Sequence, residues 1–170
     1  MNDFFPKDPA ADVLRDEIQF SAEDVPMPLD DTVEWEAALR NVVAHYGGAI
    51  DLLNYIFCSD DYLHRINLEH LDHDTLTDII TFPYREFPEL ESDIFISTER
   101  VRENAAERNL PFETELKRVV SHGLLHLIGF GDKTEEETVE MRQREEHAME
   151  FFLNDRSESS RETRNLRADI

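Results

Sequence analysis

The sequence predicts a small α/β or α+β domain built around one sheet. Short β-branched and apolar runs alternate with longer segments in which apolar residues recur at helical spacing. Glycine and proline residues separate these segments. A chain of 170 residues with 40% apolar composition is long enough to bury one core. We therefore expect a single domain over residues 15–153, flanked by a loose leader (1–14) and a disordered tail (154–170).

The first half of the chain is predicted to contain two strands and two helices. The helices have an apolar side and acidic or hydroxyl residues at their start, and the strands are short apolar runs. In chain order, these elements are a strand over residues 18–20, a helix over 32–46, a strand over 49–58 and a short helix that ends at 71.

The second half is predicted to contain two short strands followed by three helices. A polar connection over 72–78 precedes a strand over 79–82, which Pro83 is expected to stop. The remaining predictions are a strand over 92–97 and helices over 98–109, 113–128 and 134–153. The last helix offers as core contacts Val139, Met141, Met149, Phe151 and Phe152.

The charge balance is strongly acidic. There are 39 acidic and 17 basic residues, giving a net charge of −22. One interpretation is an acidic protein that avoids polyanions. The other is a surface suited to a cytoplasm of molar salt, where the Debye length falls to about 3 Å and RNA contact is not forbidden.

No apolar run approaches the length of a membrane span, and the N-terminal residues lack a signal-peptide pattern. We therefore expect a cytoplasmic protein with no membrane contact. The single cysteine, Cys58, excludes an internal disulfide framework and a cysteine-rich metal site.

The segment 122–132 carries the strongest chemical signal in the chain. His122 and His126 are four residues apart, so on a helix both imidazoles lie on one face. Gly129 is suited to end that helix, and Gly131 frees the next turn to return Asp132 to the same place. Two imidazoles and one carboxylate form the three-ligand set of a catalytic zinc site.

An ordinary structural role for these histidines is the weaker alternative. The two imidazoles are flanked by leucine and isoleucine, and burying them without a partner costs a few kcal/mol. A metal ion serves both at once. The lone histidines His45, His64 and His147 are instead expected to be ordinary surface or core residues.

Gly123 excludes one familiar zinc mechanism. In HExxH metallopeptidases a glutamate follows the first histidine and acts as the general base. Gly123 occupies that position and has no side chain. Metal-assisted hydrolysis remains possible, because a bound metal still activates water and polarises a phosphoryl or carbonyl oxygen.

The same residues resemble the signature of the YbeY family, metal-dependent endoribonucleases that cleave single-stranded RNA in bacterial ribosomal RNA maturation. Residues 122–132 match the pattern H-G-x-L-H-L-x-G-[YF]-x-H up to its last position. Residues 77–82 resemble the family's T-[DN]-V-L-S-F strand, 93–96 its G-D-I-x-I strand, and Ile66-Asn67 the end of an asparagine-containing helix. The similarity spans residues 18–153.

The chain departs from the family pattern at two positions. Asp132 replaces the third histidine ligand, and Leu71 stands where the family has an arginine. If that arginine contacts the RNA phosphate, the chain needs a substitute, for which the candidates are His70, His73 and Arg85.

The resemblance implies a mixed sheet of about four strands packed by helices, with the metal site at the end of a central helix. It also implies one zinc ion held by His122, His126 and Asp132. The partners are single-stranded RNA and the small ribosomal subunit, not DNA, and the role is 3′-end maturation of the small-subunit ribosomal RNA and ribosome quality control. Two alternatives stay open: a non-enzymatic ribosome-associated factor with a structural metal, and a metallopeptidase-like hydrolase.

Overall fold

Four strands and five helices make up the part of the chain that the computed structural model describes, residues 13–71 and 77–165. Side chains are described for 13–70 and 77–153. The elements are β1 (Glu17–Ala22), α1 (Val33–His45), β2 (Ala49–Cys58), α2 (Asp60–Leu71), β3 (Ile79–Arg85), β4 (Glu89–Ser97), α3 (Thr98–Glu107), α4 (Phe112–Ile128) and α5 (Glu135–Asn165).

The strands form one mixed sheet in the order β1-β2-β4-β3. β1 and β4 lie parallel to β2 on either side of it, and β3 runs antiparallel to β4 at one edge. The central strand β2 is almost entirely buried, as expected for a strand covered on both faces. This arrangement confirms the predicted fold class.

Helix α4 lies at the centre of the domain. Its apolar face, which includes Leu116, Val120 and Leu124, joins the main core formed with α1, α5 and the sheet. Helix α2 covers the opposite face of the sheet, where Cys58, Leu63 and Ile80 form a smaller cluster. The two histidines of α4 are therefore carried by a helix that packs against α1, α5 and the sheet.

Strand β3 is longer than predicted, because Pro83 does not stop it. The strand continues to Arg85, with Pro83 opposite Ser92 of β4. Proline lacks a backbone donor, which an edge strand tolerates since one of its sides has no neighbour. The partner strand β4 accordingly begins at Glu89, three residues before the predicted start.

Helix α5 extends to Asn165, beyond the end predicted at residue 153. Residues 154–165 contain neither glycine nor proline, so no residue that breaks helices interrupts it. Of its predicted core contacts, Met141 and Phe152 are buried, but Val139 is 54% exposed and lies on the solvent side. Residues 166–170 and most of the predicted leader, 1–12, lie outside the described residues.

No helix among the described residues is long and apolar enough to cross a membrane.

Candidate metal centre

The close packing of α4 on the sheet determines which way its histidines face. Gly123 is buried, and a Cβ atom there would lie 2.4 Å from Cδ1 of Ile79 on β3. Since position 123 faces the sheet, its neighbour His122 is turned away from it. The side chains of His122 and His126 are 20% and 31% exposed. The imidazoles thus lie at the surface of the core.

The helix ends where the sequence predicts. Gly129 has a φ of +122°, a conformation that residues with a Cβ rarely adopt. Its N–H donates to the carbonyl oxygens of Leu125 and His126, and the N–H of Phe130 also donates to Leu125. These bonds satisfy carbonyls at the helix end, and the chain turns sharply back toward the histidines.

The start of α5 fixes Asp132 in this turn. Thr134 and Glu137 form a capping box, in which the Thr134 hydroxyl accepts from the Glu137 N–H and the Glu137 carboxylate accepts from the Thr134 N–H. The same carboxylate accepts from the N–H of Lys133, and the Thr138 hydroxyl donates to the carbonyl oxygen of Asp132. Asp132 is therefore held by its own backbone neighbours.

His122, His126 and Asp132 converge, as predicted. Nε2 of His122 lies 2.9 Å from Nε2 of His126, and Oδ2 of Asp132 lies 3.2 Å from His126 and 3.4 Å from His122. Zinc bound tetrahedrally at 2.0–2.2 Å keeps its ligand atoms about 3.3 Å apart. The spacing of the three atoms therefore fits a single zinc ion.

The outer nitrogens of both imidazoles contact acceptors. Nδ1 of His122 donates to Oε1 of Glu145 at 2.6 Å, and Nδ1 of His126 donates to the carbonyl oxygen of Phe130 at 2.8 Å. A carboxylate and a carbonyl only accept, so each ring carries its proton on Nδ1 and presents the Nε2 lone pair to the shared point. Two lone pairs and a carboxylate oxygen facing one another form a donor set suited to a metal cation.

Glu145 was not predicted from the sequence. Burial raises the pKa of this carboxyl, but the hydrogen bond with His122 and the guanidinium of Arg118 together bring its pKa below the ordinary value. Glu145 is thus charged and hydrogen-bonded to one of the candidate metal ligands. A usable signal existed, since Glu145 lies on the same buried stripe of α5 as Met141 and Ala148, where an acidic residue is unexpected.

The weaker candidates are placed away from this group or outside the described residues. His70, at the end of α2, contacts the ring of Phe82 on the face of the sheet that α2 covers. Arg85 pairs with Glu89 and lies 4.0 Å from Asp51, at the far end of β3, roughly 20 Å along the strand from Ile79. His73 lies outside the described residues, as does the side chain of Leu71.

A cleft of about 670 Å³ opens beside the metal group, between α4, α5 and the end of α3. His122 and Asp132 lie on its wall. Apolar side chains that include Leu110 and Met149 line part of the remaining wall. The rest is lined by three arginines and three further acidic residues: Arg108, Arg118, Arg142, Glu115, Glu145 and Glu146. The three arginines place positive charge beside the metal group in a protein of net charge −22, although four carboxylates, Asp132 among them, share the lining.

Comparisons with known proteins place the whole site inside a region of similarity. The family described as Endoribonuclease YbeY matches residues 16–153. A Flavobacterium johnsoniae protein named Endoribonuclease YbeY is 52% identical over 100 residues, which cover 59% of this chain and 72% of that protein. A Cytophaga hutchinsonii protein of the same name is 44% identical over 133 residues, covering 78% and 93%.

The fold is also similar to a solved structure. The solution structure of a Thermotoga maritima protein aligns with a TM-score of 0.58 at 29% sequence identity, covering 84% of this chain and 93% of that one.

Proposed function

Because the chain belongs to the endoribonuclease YbeY family, we propose that it is a zinc-dependent endoribonuclease that cleaves single-stranded RNA. Its role is the 3′-end maturation of small-subunit ribosomal RNA and the quality control of ribosomes. Its compartment is the cytoplasm, and its partner is the small ribosomal subunit.

One observation carries the proposal: two imidazole nitrogens and one carboxylate oxygen meet within 3.4 Å of one another. His122, His126 and Asp132 would hold the zinc ion. When bound, zinc supplies Lewis acidity toward a phosphoryl oxygen and lowers the pKa of a water molecule. Glu145 and the Phe130 carbonyl orient the two imidazoles by holding their Nδ1 protons.

The cleft beside the metal group supplies groups suited to a phosphate backbone. Arg142 on α5 and Arg108 at the end of α3 are exposed and line the cleft, and Arg108 also lies 3.6 Å from the carboxylate of Glu115. Guanidinium groups bind phosphate through two parallel hydrogen bonds. We assign these two arginines to the RNA phosphates that flank the cleaved bond.

The number of ligands favours catalysis over a structural metal. A structural zinc takes four protein ligands, whereas a catalytic one keeps a position for water or substrate. Within residues 13–70 and 77–153, His122, His126 and Asp132 are the group whose ligand atoms converge. Gly123 also argues against a peptidase, since it supplies no base at that position.

Cleavage of matched RNAs tests the proposal. Unpaired RNA and a duplex of the same sequence are incubated with the protein in salt from about 0.1 to 2 M, because the acidic surface repels RNA when screening is weak. We expect cleavage of the unpaired RNA alone, its loss with a chelator, and recovery with added zinc. His126→Ala should abolish cleavage, whereas His64→Ala on α2 should retain it.

Three results would contradict the proposal. Cleavage that survives chelation or His126→Ala would remove the metal site from the reaction. Zinc binding without any RNA cleavage across the salt range would favour the non-enzymatic ribosome-associated factor, and chelator-sensitive peptide cleavage would favour the metallopeptidase.

The ends of the RNA products identify the nucleophile. Attack by the neighbouring ribose 2′-hydroxyl forms a 2′,3′-cyclic phosphate and releases a 5′-hydroxyl. Attack by water leaves a linear phosphate on one product and a hydroxyl on the other. End analysis of a labelled RNA therefore distinguishes the two routes.

A further inference from the structure

Arg144 on α5 lies over the turn that follows the metal-binding helix. Its guanidinium carbon is 3.8 Å from the centre of the Phe130 ring and 5.5 Å from that of Tyr46. The Tyr46 and Phe130 rings are 5.3 Å apart in an edge arrangement. Phe130 thus contacts both a cation and a second aromatic ring, which also contact each other, and each of these contacts is attractive.

The guanidinium is itself held in place. Nη1 donates to the hydroxyl of Tyr46 at 3.2 Å, and Nη2 and Nε donate to Oε1 of Glu140 at 2.6 and 3.1 Å. These bonds keep the plane of Arg144 over the ring of Phe130. Arg144 therefore connects α5, the residue that follows α1, and the turn after α4.

The position of the backbone at Phe130 depends strongly on these side-chain contacts. Phe130 lies between Gly129 and Gly131, and glycine leaves a chain the greatest conformational freedom. The carbonyl oxygen of Phe130 accepts the Nδ1 proton of His126, and Asp132 follows two residues later. A turn that moved at Phe130 would misplace two ligands at once.

We propose that Arg144 is a positioning residue for the metal site, which acts by clamping Phe130 against Tyr46 and so holding the carbonyl that orients His126. The inference rests on the proposed metal-binding function and adds a residue that touches neither the ion nor the RNA.

Metal affinity tests the clamp directly. Co²⁺ titration, followed by the visible absorption of the bound ion, and Zn²⁺ competition against a chelator are measured for the wild type and for Arg144→Gln. We expect affinity to fall about three- to tenfold, the range that one cation–π contact of this geometry supports. Arg144→Lys, which keeps the charge but not the planar stack, should lie between the two.

A matched control and a double-mutant cycle separate clamping from general effects. Arg65 lies over the ring of Tyr62 on α2, with its guanidinium carbon 5.6 Å from the ring centre, so Arg65→Gln removes the same charge and the same kind of contact elsewhere. It should leave metal affinity within twofold. Phe130→Leu should lower affinity as Arg144→Gln does, and adding Arg144→Gln to it should change affinity less than twofold.

The outcomes distinguish failure of the inference from failure of the proposed function. If the wild type binds neither metal, the proposed function itself is wrong. If the wild type binds metal but Arg144→Gln matches it within twofold, or if the losses in the double variant simply multiply, Arg144 does not act through Phe130. If the losses of metal affinity do not multiply in the double variant, and Arg65→Gln leaves metal affinity unchanged, the results support the clamp.

Discussion

The carboxylate of Glu145 accepts a hydrogen bond of 2.6 Å from Nδ1 of His122, although the two residues are 23 positions apart. This contact crosses from α5 to α4 and is buried from solvent on the Glu145 side. Arg118 contacts Glu145 and, more closely, Glu115. The orientation of a metal ligand thus depends on a buried charged network at a helix–helix contact.

Replacing Glu145 by glutamine is expected to lower zinc affinity by about ten- to a hundredfold, the usual effect of losing a partner of a ligating histidine. The amide is similar in size but no longer charged, so it supports the ligating tautomer less well. Chelator competition measures the change. Glu150→Gln removes the same charge from an exposed position of α5 outside the cleft lining and should stay within twofold. An equal fall in both variants would contradict the role assigned to Glu145.

Zinc binding should tolerate histidine at position 132 but not alanine. Asp132→His restores the ligand type of the family pattern and is expected to retain zinc, while Asp132→Ala removes a ligand and should weaken binding at least tenfold. Asp61→Ala, an exposed aspartate at the start of α2, serves as the control. Unchanged zinc affinity in Asp132→Ala would show that the third ligand is another group.

Introducing a glutamate at position 123 should damage the fold rather than create a peptidase. A Cβ atom added there would lie 2.4 Å from Cδ1 of Ile79, and the added carboxylate would be buried against the sheet. We expect a loss of about 2–4 kcal/mol in the free energy of unfolding, measured with urea. Gln143→Glu, exposed on α5, should change it by less than about 0.5 kcal/mol. A Gly123→Glu protein as stable as the wild type would contradict the close packing.

The pair formed by Asp51 and Arg15 should make stability depend on pH in the acid range. Hydrogen bonds from Arg15 lower the pKa of Asp51 to about 2. A carboxyl with a lowered folded pKa contributes stability that is complete above its unfolded pKa of about 3.9 and is lost as the pH falls toward 2.

Asp51→Asn is therefore expected to be less stable than the wild type by about 1–2 kcal/mol at pH 6, with the difference shrinking between about pH 4 and pH 2. Urea unfolding at several pH values measures both proteins. Asp30→Asn, at an exposed position, is the control. A difference that stays constant down to pH 2 would show that the Asp51 charge does not provide the stability.

The fold class and the convergence of the three candidate ligands followed from the sequence because both depend on local spacing. The four-residue interval between His122 and His126 and the glycine at 129 describe one helix and its end. The course of β3 through Pro83 did not follow, because it depends on β3 lying at the sheet edge. The edge position of β3 is a property of the whole sheet, and the residues around Pro83 do not indicate it.

The partners of the imidazoles were not predictable in the same way. Glu145 resembles the other acidic residues of α5 until the burial of its stripe is known. The acceptor for His126 is a backbone carbonyl, which any residue at 130 would carry. What the side chain of Phe130 adds, its contact with Arg144, becomes visible only when α5 is packed against the turn.

The docking of α5 also sets when during synthesis the enzyme can become active. Glu145 and Arg144 both belong to this last helix, and Phe152 anchors it against Trp35 of α1. A ribosome that has translated as far as Asp132 has made all three ligands but neither of the residues that orient them through α5. The site that these residues form is therefore complete only after α5 has been made and has packed against α1 and α4.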